Sequence, residues 1–288
     1  MGTGGEIAVV TDSTAYLPDG LAEELRISVV PLYVIMGGAS GEEGVDITPD
    51  QLAAALRERR QPVSTSRPTP SAFAHTYRRC LDSGAKGVVS IHLSRELSGT
   101  WDAARLAAED VDPSCVKVID SRSAGMGLGF AVLAAAELAR AGAELDDVVG
   151  TGVDTAAATV TLFYVDTLEF LRRGGRIGAA AAVLGTALAV KPLLHVVDGR
   201  IVALEKVRTA SKAIARLAEV AVERAGGRLV DIAVQHLAAP ERAEGVASVL
   251  RERIPRLRRM YTSEVGAVVG AHVGPGLIGV VVAPAPAH

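Results

Sequence analysis

Three short stretches concentrate side chains able to hold an anion. Thr11-Asp12-Ser13-Thr14 follows one apolar run, and Ser94-Arg95-Glu96-Leu97-Ser98-Gly99-Thr100 follows another. Between them, Thr65-Ser66-Arg67-Pro68-Thr69-Pro70 leads into a helical pattern. In open parallel sheets, ligands bind in the loops beyond the carboxyl ends of strands, so hydroxyls gathered there are candidates for binding. Ser98 is predicted to be a helix N-cap, with the free N–H groups of Gly99 and Thr100 just beyond it. Such a helix start suits a carboxylate. From the local sequence alone an ordinary cap is the better account of Ser98, and a turn residue the better account of Thr65.

Cations and one imidazole stand out further along the chain. Leu168 to Arg173 reads as a short helix end, followed by Gly174-Gly175 and then Arg176. Arg172 and Arg173 suit the negative end of a helix, whereas Arg176 lies beyond it. Lys206-Val207-Arg208 precedes a helical pattern, and His272-Val273-Gly274-Pro275-Gly276 reads as a tight loop before a final strand. Other familiar chemistry is missing. Gly125, Gly127 and Gly129 lack dinucleotide spacing and read as helix-packing glycines, there is no Walker A sequence, and Ser98 is not in GxSxG. No metal-ligand spacing is apparent, so no metal and no cofactor is expected. Cys80 and Cys115 read as reduced packing residues.

The elements that must position these residues are legible from periodicity. Apolar runs at Ile7–Val10, Val29–Ile35, Gly87–Leu93 and Val116–Asp120 alternate with helical patterns, the mark of a mainly parallel sheet. Thr48-Pro49-Asp50-Gln51 predicts a capped helix to about Arg60, and Thr69-Pro70 opens another with Phe73, Tyr77, Cys80 and Leu81 on one face. Long helices follow over Ser123–Ala141 and Glu144–Ala157. Beyond them come a strand at Thr159–Val165, a buried helix at Ala179–Val190, and a hairpin about Asp198-Gly199. A helix through Ile214 and Leu217, a strand at Leu229–Gln235, a helix from Pro240 and strands at Arg258–Thr262 and Leu277–Val282 complete the chain. The expected fold is α/β with two domains: an N-terminal α/β/α layer over 1–157 and a C-terminal mixed-sheet domain over 158–288.

Composition narrows the function. A net charge of −3 and 22% charged residues give no basic field for nucleic acid. Hydrophobic residues reach 49% with only 3% aromatics, so aliphatic side chains fill the interior. No signal peptide or myristoylation pattern opens the chain, and its longest apolar run falls short of the roughly 20 residues that span a bilayer. A cytoplasmic protein is expected.

Taken in order, the segments VTDSTAYLP (Val10–Pro18), TSRPTPSAF (Thr65–Phe73), LSGTWDAA (Leu97–Ala104) and VIDSRSAGMGLG (Val118–Gly129) resemble the DegV family of bacterial fatty-acid-binding proteins. TLEFLRRGGRIG (Thr167–Gly178), KPLLHVVDGRI (Lys191–Ile201), KVR (Lys206–Arg208) and AHVGPG (Ala271–Gly276) continue the resemblance through nearly the whole chain. The family includes the lipid-carrying subunits of fatty acid kinase. The resemblance implies a long-chain fatty acid whose carboxylate meets Thr65, Ser98 and His272, with Ser66, Gly99 and Thr100 in the headgroup loops. It further implies that Arg176 and Arg208 face a partner kinase, where phosphate is transferred from ATP. Arg67, Trp101 and Ala189 depart from the residues common there, which are Gln, Tyr and Asn. The expected role is presentation of a lipid without catalysis by this chain alone. A hydrolase or acyltransferase with Ser98 as nucleophile and His272 as base is the alternative; a DNA-binding regulator lacks the basic stripe it would need.

Overall fold

The computed structural model describes residues 6–58, 62–183 and 191–285. The first half runs β1 (Ile7–Asp12), α1 (Leu21–Glu24), β2 (Ser28–Val30), β3 (Tyr33–Met36), β4 (Ala39–Glu42), α2 (Pro49–Glu58) and β5 (Val63–Ser66). It continues with α3 (Pro70–Asp82), β6 (Gly87–His92), α4 (Thr100–Val111), β7 (Val116–Asp120), α5 (Met126–Arg140) and α6 (Leu145–Ala158). The second half holds β8 (Val160–Tyr164), α7 (Glu169–Arg173), β9 (Lys191–Val197), β10 (Arg200–Val207) and α8 (Ala210–Ala225). It ends with β11 (Val230–His236), α9 (Pro240–Arg253), β12 (Leu257–Glu264), α10 (Ala267–Val273) and β13 (Ile278–Pro284).

The first half forms a parallel sheet in the order β2-β1-β6-β7 with helices on both faces, as expected of an α/β/α layer. On one side Val10 and Val88 meet Phe73 and Tyr77 of α3 and the alanines of α4. On the other, Val9, Val89 and Ile91 meet α5. The second half is a mixed sheet in the order β10-β9-β8-β13-β11-β12, parallel only between β11 and β12. One face, with Leu162, Ile232 and Val280, buries α8 and α9. The other face turns toward α5, whose core also takes in Ala233 and Val281. This sandwiching explains the small residues of α5: a Cβ at Gly127 would stand 2.3 Å from Thr161 Oγ1 of β8.

Local chemistry sets several boundaries. Thr48 and Gln51 exchange N-cap hydrogen bonds of 2.9 and 3.3 Å at the start of α2, and Thr69 Oγ1 accepts from Ala72 N at the start of α3. The Asp198-Gly199 hairpin takes positive φ at both residues, joining β9 to β10.

Several expectations are corrected. The single strand over Val29–Ile35 is two strands in two sheets, because Pro31 has no N–H for a continuous ladder. β3 instead centres a small antiparallel sheet, β4-β3-β5, so Thr65 is a strand residue rather than a turn former. His272 and Val273 lie in the last turn of α10, and the tight loop begins only at Gly274. The helix expected over Ala179–Val190 is a 3-10 turn at Gly178–Val183, with Ala180 buried between exposed Ala179 and Ala181; residues 184–190, including Ala189, lie outside the described residues. Among the described residues, no helix is long and apolar enough to cross a membrane.

Candidate functional site

A cavity of about 380 Å³ opens where the carboxyl end of β6 faces the inner side of the six-stranded sheet. Its walls are mainly aliphatic, including Leu93, Val196, Val268 and Leu277. One group of lining residues is polar: Thr65, Ser66, Arg67, Ser98, Gly99, Arg176 and His272. Thr65, Arg176 and His272 also line a second cleft of about 440 Å³ with Phe170 and Arg173. These three residues therefore form a partition between an apolar chamber and an outer cleft.

The partition is held from several directions. Thr65 Oγ1 lies 2.9 Å from His272 Nε2, joining β5 to α10. The start of α10 is fixed by Glu43, which accepts from Val268 N at 2.7 Å, and by Tyr16 Oη, which accepts from Val269 N at 3.0 Å. Tyr16 in turn donates to Glu43 at 2.8 Å, and Ser13 Oγ donates to the same carboxyl group. Burial pushes the Glu43 carboxyl pKa up, opposed by its hydrogen bonds. Arg176 Nε donates to Leu97 O at 3.1 Å and its Nη1 donates to Gly174 O, tying the Gly-Gly turn to the Ser94–Thr100 loop. Gly174 is required by close approach, since a Cβ there would stand 2.1 Å from His272 Nδ1.

The parallel sheet supports this loop through a buried polar chain. Asp12 Oδ2 accepts from Leu93 N at 3.0 Å and sits 2.9 Å from His92 Nδ1. His92 Nε2 lies 2.7 Å from Ser90 Oγ, to which Tyr77 Oη donates at 2.8 Å. Ser90, His92 and Asp12 thus make a Ser–His–Asp line like that of a hydrolase, but all three are fully buried and none lines the cavity. Their task is to fix the end of β6, where Leu93 enters the cavity wall.

His272 is mostly buried, and its pKa is lowered to about 4, first by burial and then by the charge of Arg176. Its imidazole is neutral at pH 7. Nδ1 has no hydrogen-bond partner among the described residues. A buried bare lone pair is tolerated better than a stranded N–H, so the tautomer consistent with these contacts carries its proton on Nε2. Nε2–H then donates to Thr65 Oγ1 and leaves the Thr65 hydroxyl proton free to donate into the cavity.

The positions expected from sequence fall unevenly around this site. Thr65, Ser66, Ser98, Gly99, Arg176 and His272 come together at the cavity. Ser98 is not the N-cap; Gly99 is, and Ser98 Oγ accepts from Thr100 N at 3.3 Å and lies 2.9 Å from Thr100 Oγ1. Thr100 is fully buried behind it and does not line the cavity. Arg208 is exposed beyond the end of β10 and does not line it either. The Thr11–Thr14 loop serves as support, with Asp12 accepting from Thr14 N at 3.1 Å. Ser98 and His272 do not pair, because each bonds to a threonine, so the nucleophile–base contact of the hydrolase alternative is not made. Sequence reasoning missed Glu43 and Tyr16, and it took Arg67 only as a departure although its guanidinium packs directly over Gly99 at the cavity. Among the described residues no group of three or more His, Cys, Asp or Glu could hold a metal ion.

Comparison with known proteins agrees with this architecture. The family model described as "Uncharacterised protein, DegV family" matches residues 6–285. A DegV domain-containing protein of Streptomyces coelicolor is 59% identical over 96% of this chain and 98% of its own length. The solved structure of a fatty-acid-binding DegV family protein from Thermus thermophilus is 36% identical, with a TM-score of 0.92 over 97% of this chain and all of that one. DegV of Bacillus subtilis, a fatty acid binding protein, is 34% identical, with a TM-score of 0.88 over 98% of this chain and all of that one. By sequence along nearly its whole length, and by fold, this chain belongs to the DegV family.

Proposed function

We propose that this protein is a cytoplasmic carrier of one long-chain fatty acid that presents the carboxylate to a separate ATP-dependent fatty acid kinase and performs no catalysis alone. The observation that carries the reading is an aliphatic cavity with Thr65, Ser98, Arg176 and His272 gathered in its wall. Binding of fatty acids by the Thermus thermophilus and Bacillus subtilis relatives supports it. Burying about fifteen methylenes at ~0.8 kcal/mol each amounts to roughly 12 kcal/mol before the costs of binding. Each charge-assisted hydrogen bond to the carboxylate contributes about 1.5–3 kcal/mol. The tail therefore supplies affinity, while the polar group decides which end of the ligand faces outward.

In this reading Thr65 donates to one carboxylate oxygen, its own oxygen occupied by His272 Nε2–H. Ser98 donates to the other, with Ser66, Gly99 and Thr100 shaping the headgroup loops. Arg176 and Arg67 bring positive charge, and Arg176 also keeps the loops in register through Leu97 and Gly174. The outer cleft on the far side of the partition gives a kinase a route to the headgroup. Arg208, off the cavity, is assigned to contact with that partner.

Three outcomes follow. Thr65→Ala/Ser98→Ala should retain its circular dichroism and weaken fatty acid binding by about 3–6 kcal/mol, roughly 150-fold or more in a calorimetric titration; unchanged affinity would remove both hydroxyls from the site. NMR titration of the lipid-free protein, assigned with His272→Gln, should give a His272 pKa near 4. Because that value is depressed, stability should be unaffected above the unfolded value of about 6.5 and fall as pH drops from there toward 4. Bound fatty acid should raise the pKa, since an adjacent carboxylate favours imidazolium; no change on loading would place the headgroup elsewhere. Finally, Arg208→Ala should load lipid normally but yield less acyl phosphate with a cognate kinase and ATP, and undiminished product would free Arg208 of the partner role.

A further inference from the structure

The inner face of the six-stranded sheet forms the floor of the cavity, and one cross-strand row of that floor has a gap. Gly279 of β13 lies directly between Phe163 of β8 and Gln235 of β11, and all three line the cavity. Its neighbours Ile278 and Val280 point the other way, into the core beneath α8 and α9. The next row on the cavity side is filled, with Thr161 opposite Val281. Gly279 is thus a notch one side chain deep in an otherwise apolar strand, Ile278–Pro284.

Glycine inside a strand weakens it and calls for a reason. Gly279 does not take positive φ, so no turn requires it. Close packing does not require it either: a Cβ there would meet nothing nearer than 3.8 Å, and the atoms at that distance belong to Gln235 and Leu162 on the flanking strands. At Gly127, by contrast, protein atoms would stand at 2.0 and 2.3 Å. A side chain at Gly279 would thus start without a clash, at a position that lines the cavity.

We infer that Gly279 is a specificity-determining residue, kept bare so that the cavity accepts the full length of a long acyl chain. The inference rests on the fatty acid reading above. A side chain at this position takes room from ligand methylenes, and longer chains have more of them to lose. Gly279→Val adds about three carbons of bulk, and each methylene denied burial weakens binding roughly fourfold. Gly279→Ala adds one.

The test is a competition series of laurate, palmitate and stearate against wild type, Gly279→Ala and Gly279→Val, with the melting temperature of each lipid-free protein. Gly279→Val should lose stearate affinity by roughly 50-fold relative to laurate, and Gly279→Ala by roughly fourfold. Melting temperatures should stay level or rise, since both residues suit a strand better than glycine. A folded Gly279→Val protein with the wild-type chain profile would overturn the assignment while leaving the carrier reading intact. Equal weakening of all three acids with a lowered melting temperature would overturn it too, by showing that the glycine serves the fold. Should Gly279→Val not fold, the same comparison with Gly279→Ala decides. A wild-type protein that takes up none of the acids would defeat the carrier reading itself, and this inference with it.

Discussion

A 2.9 Å hydrogen bond between Thr65 and His272, residues 207 positions apart, closes the polar side of an apolar chamber. It joins the edge of a three-stranded sheet from the first half to a short helix from the second. Almost every unusual feature nearby serves it. Glu43 and Tyr16 hold the start of α10, the bare Gly174 lets the His272 ring approach, and Arg176 binds the adjacent turn to Leu97. The Asp12–His92–Ser90 chain fixes the end of β6 behind the same wall. Burial keeps the His272 imidazole neutral, so the charge in this wall comes from Arg67 and Arg176.

The two halves of the chain divide the work. The parallel sheet delivers loops at the carboxyl ends of its strands, where open α/β sheets gather ligand contacts. The six-stranded sheet delivers a broad floor whose inner face alternates with an outer one packed against α8 and α9. α5 lies between them and is rich in alanine and glycine, so both sheets come close while the cavity remains open beside it. The small hydroxyl-bearing and aliphatic side chains at the cavity fit a ligand with one charged end and a long apolar remainder.

Much of this was legible in the residues. The capping box at Thr48 and Gln51, the Asp198-Gly199 turn and the alternation of strands with helices carry short-range signals with definite geometry. Thr65, Ser98, Arg176 and His272 were identified by pattern and do meet at one cavity. What escaped depends on distant contacts. Ala267–Val273 is too short, and too rich in small residues, for a helical period to be told from a strand. Glu43, in a Gly-Glu-Glu-Gly stretch, has the look of a solvated loop, and only the fold buries it against α10. The split at Pro31 had a visible cause, the missing N–H, yet the surrounding valines and isoleucine read as one strand. The N-cap shifted by one residue from Ser98 to Gly99, a displacement within the ordinary uncertainty of helix ends.

The central claim is that the cavity holds one fatty acid with its tail enclosed. Native mass spectrometry of protein purified without detergent or added lipid, followed by extraction and identification of what is released, addresses it directly. The account predicts a bound long-chain fatty acid at close to one per chain, recovered again when stripped protein is exposed to such acids. Protein that emerges empty from repeated preparations and takes up no long-chain fatty acid on exposure would contradict it.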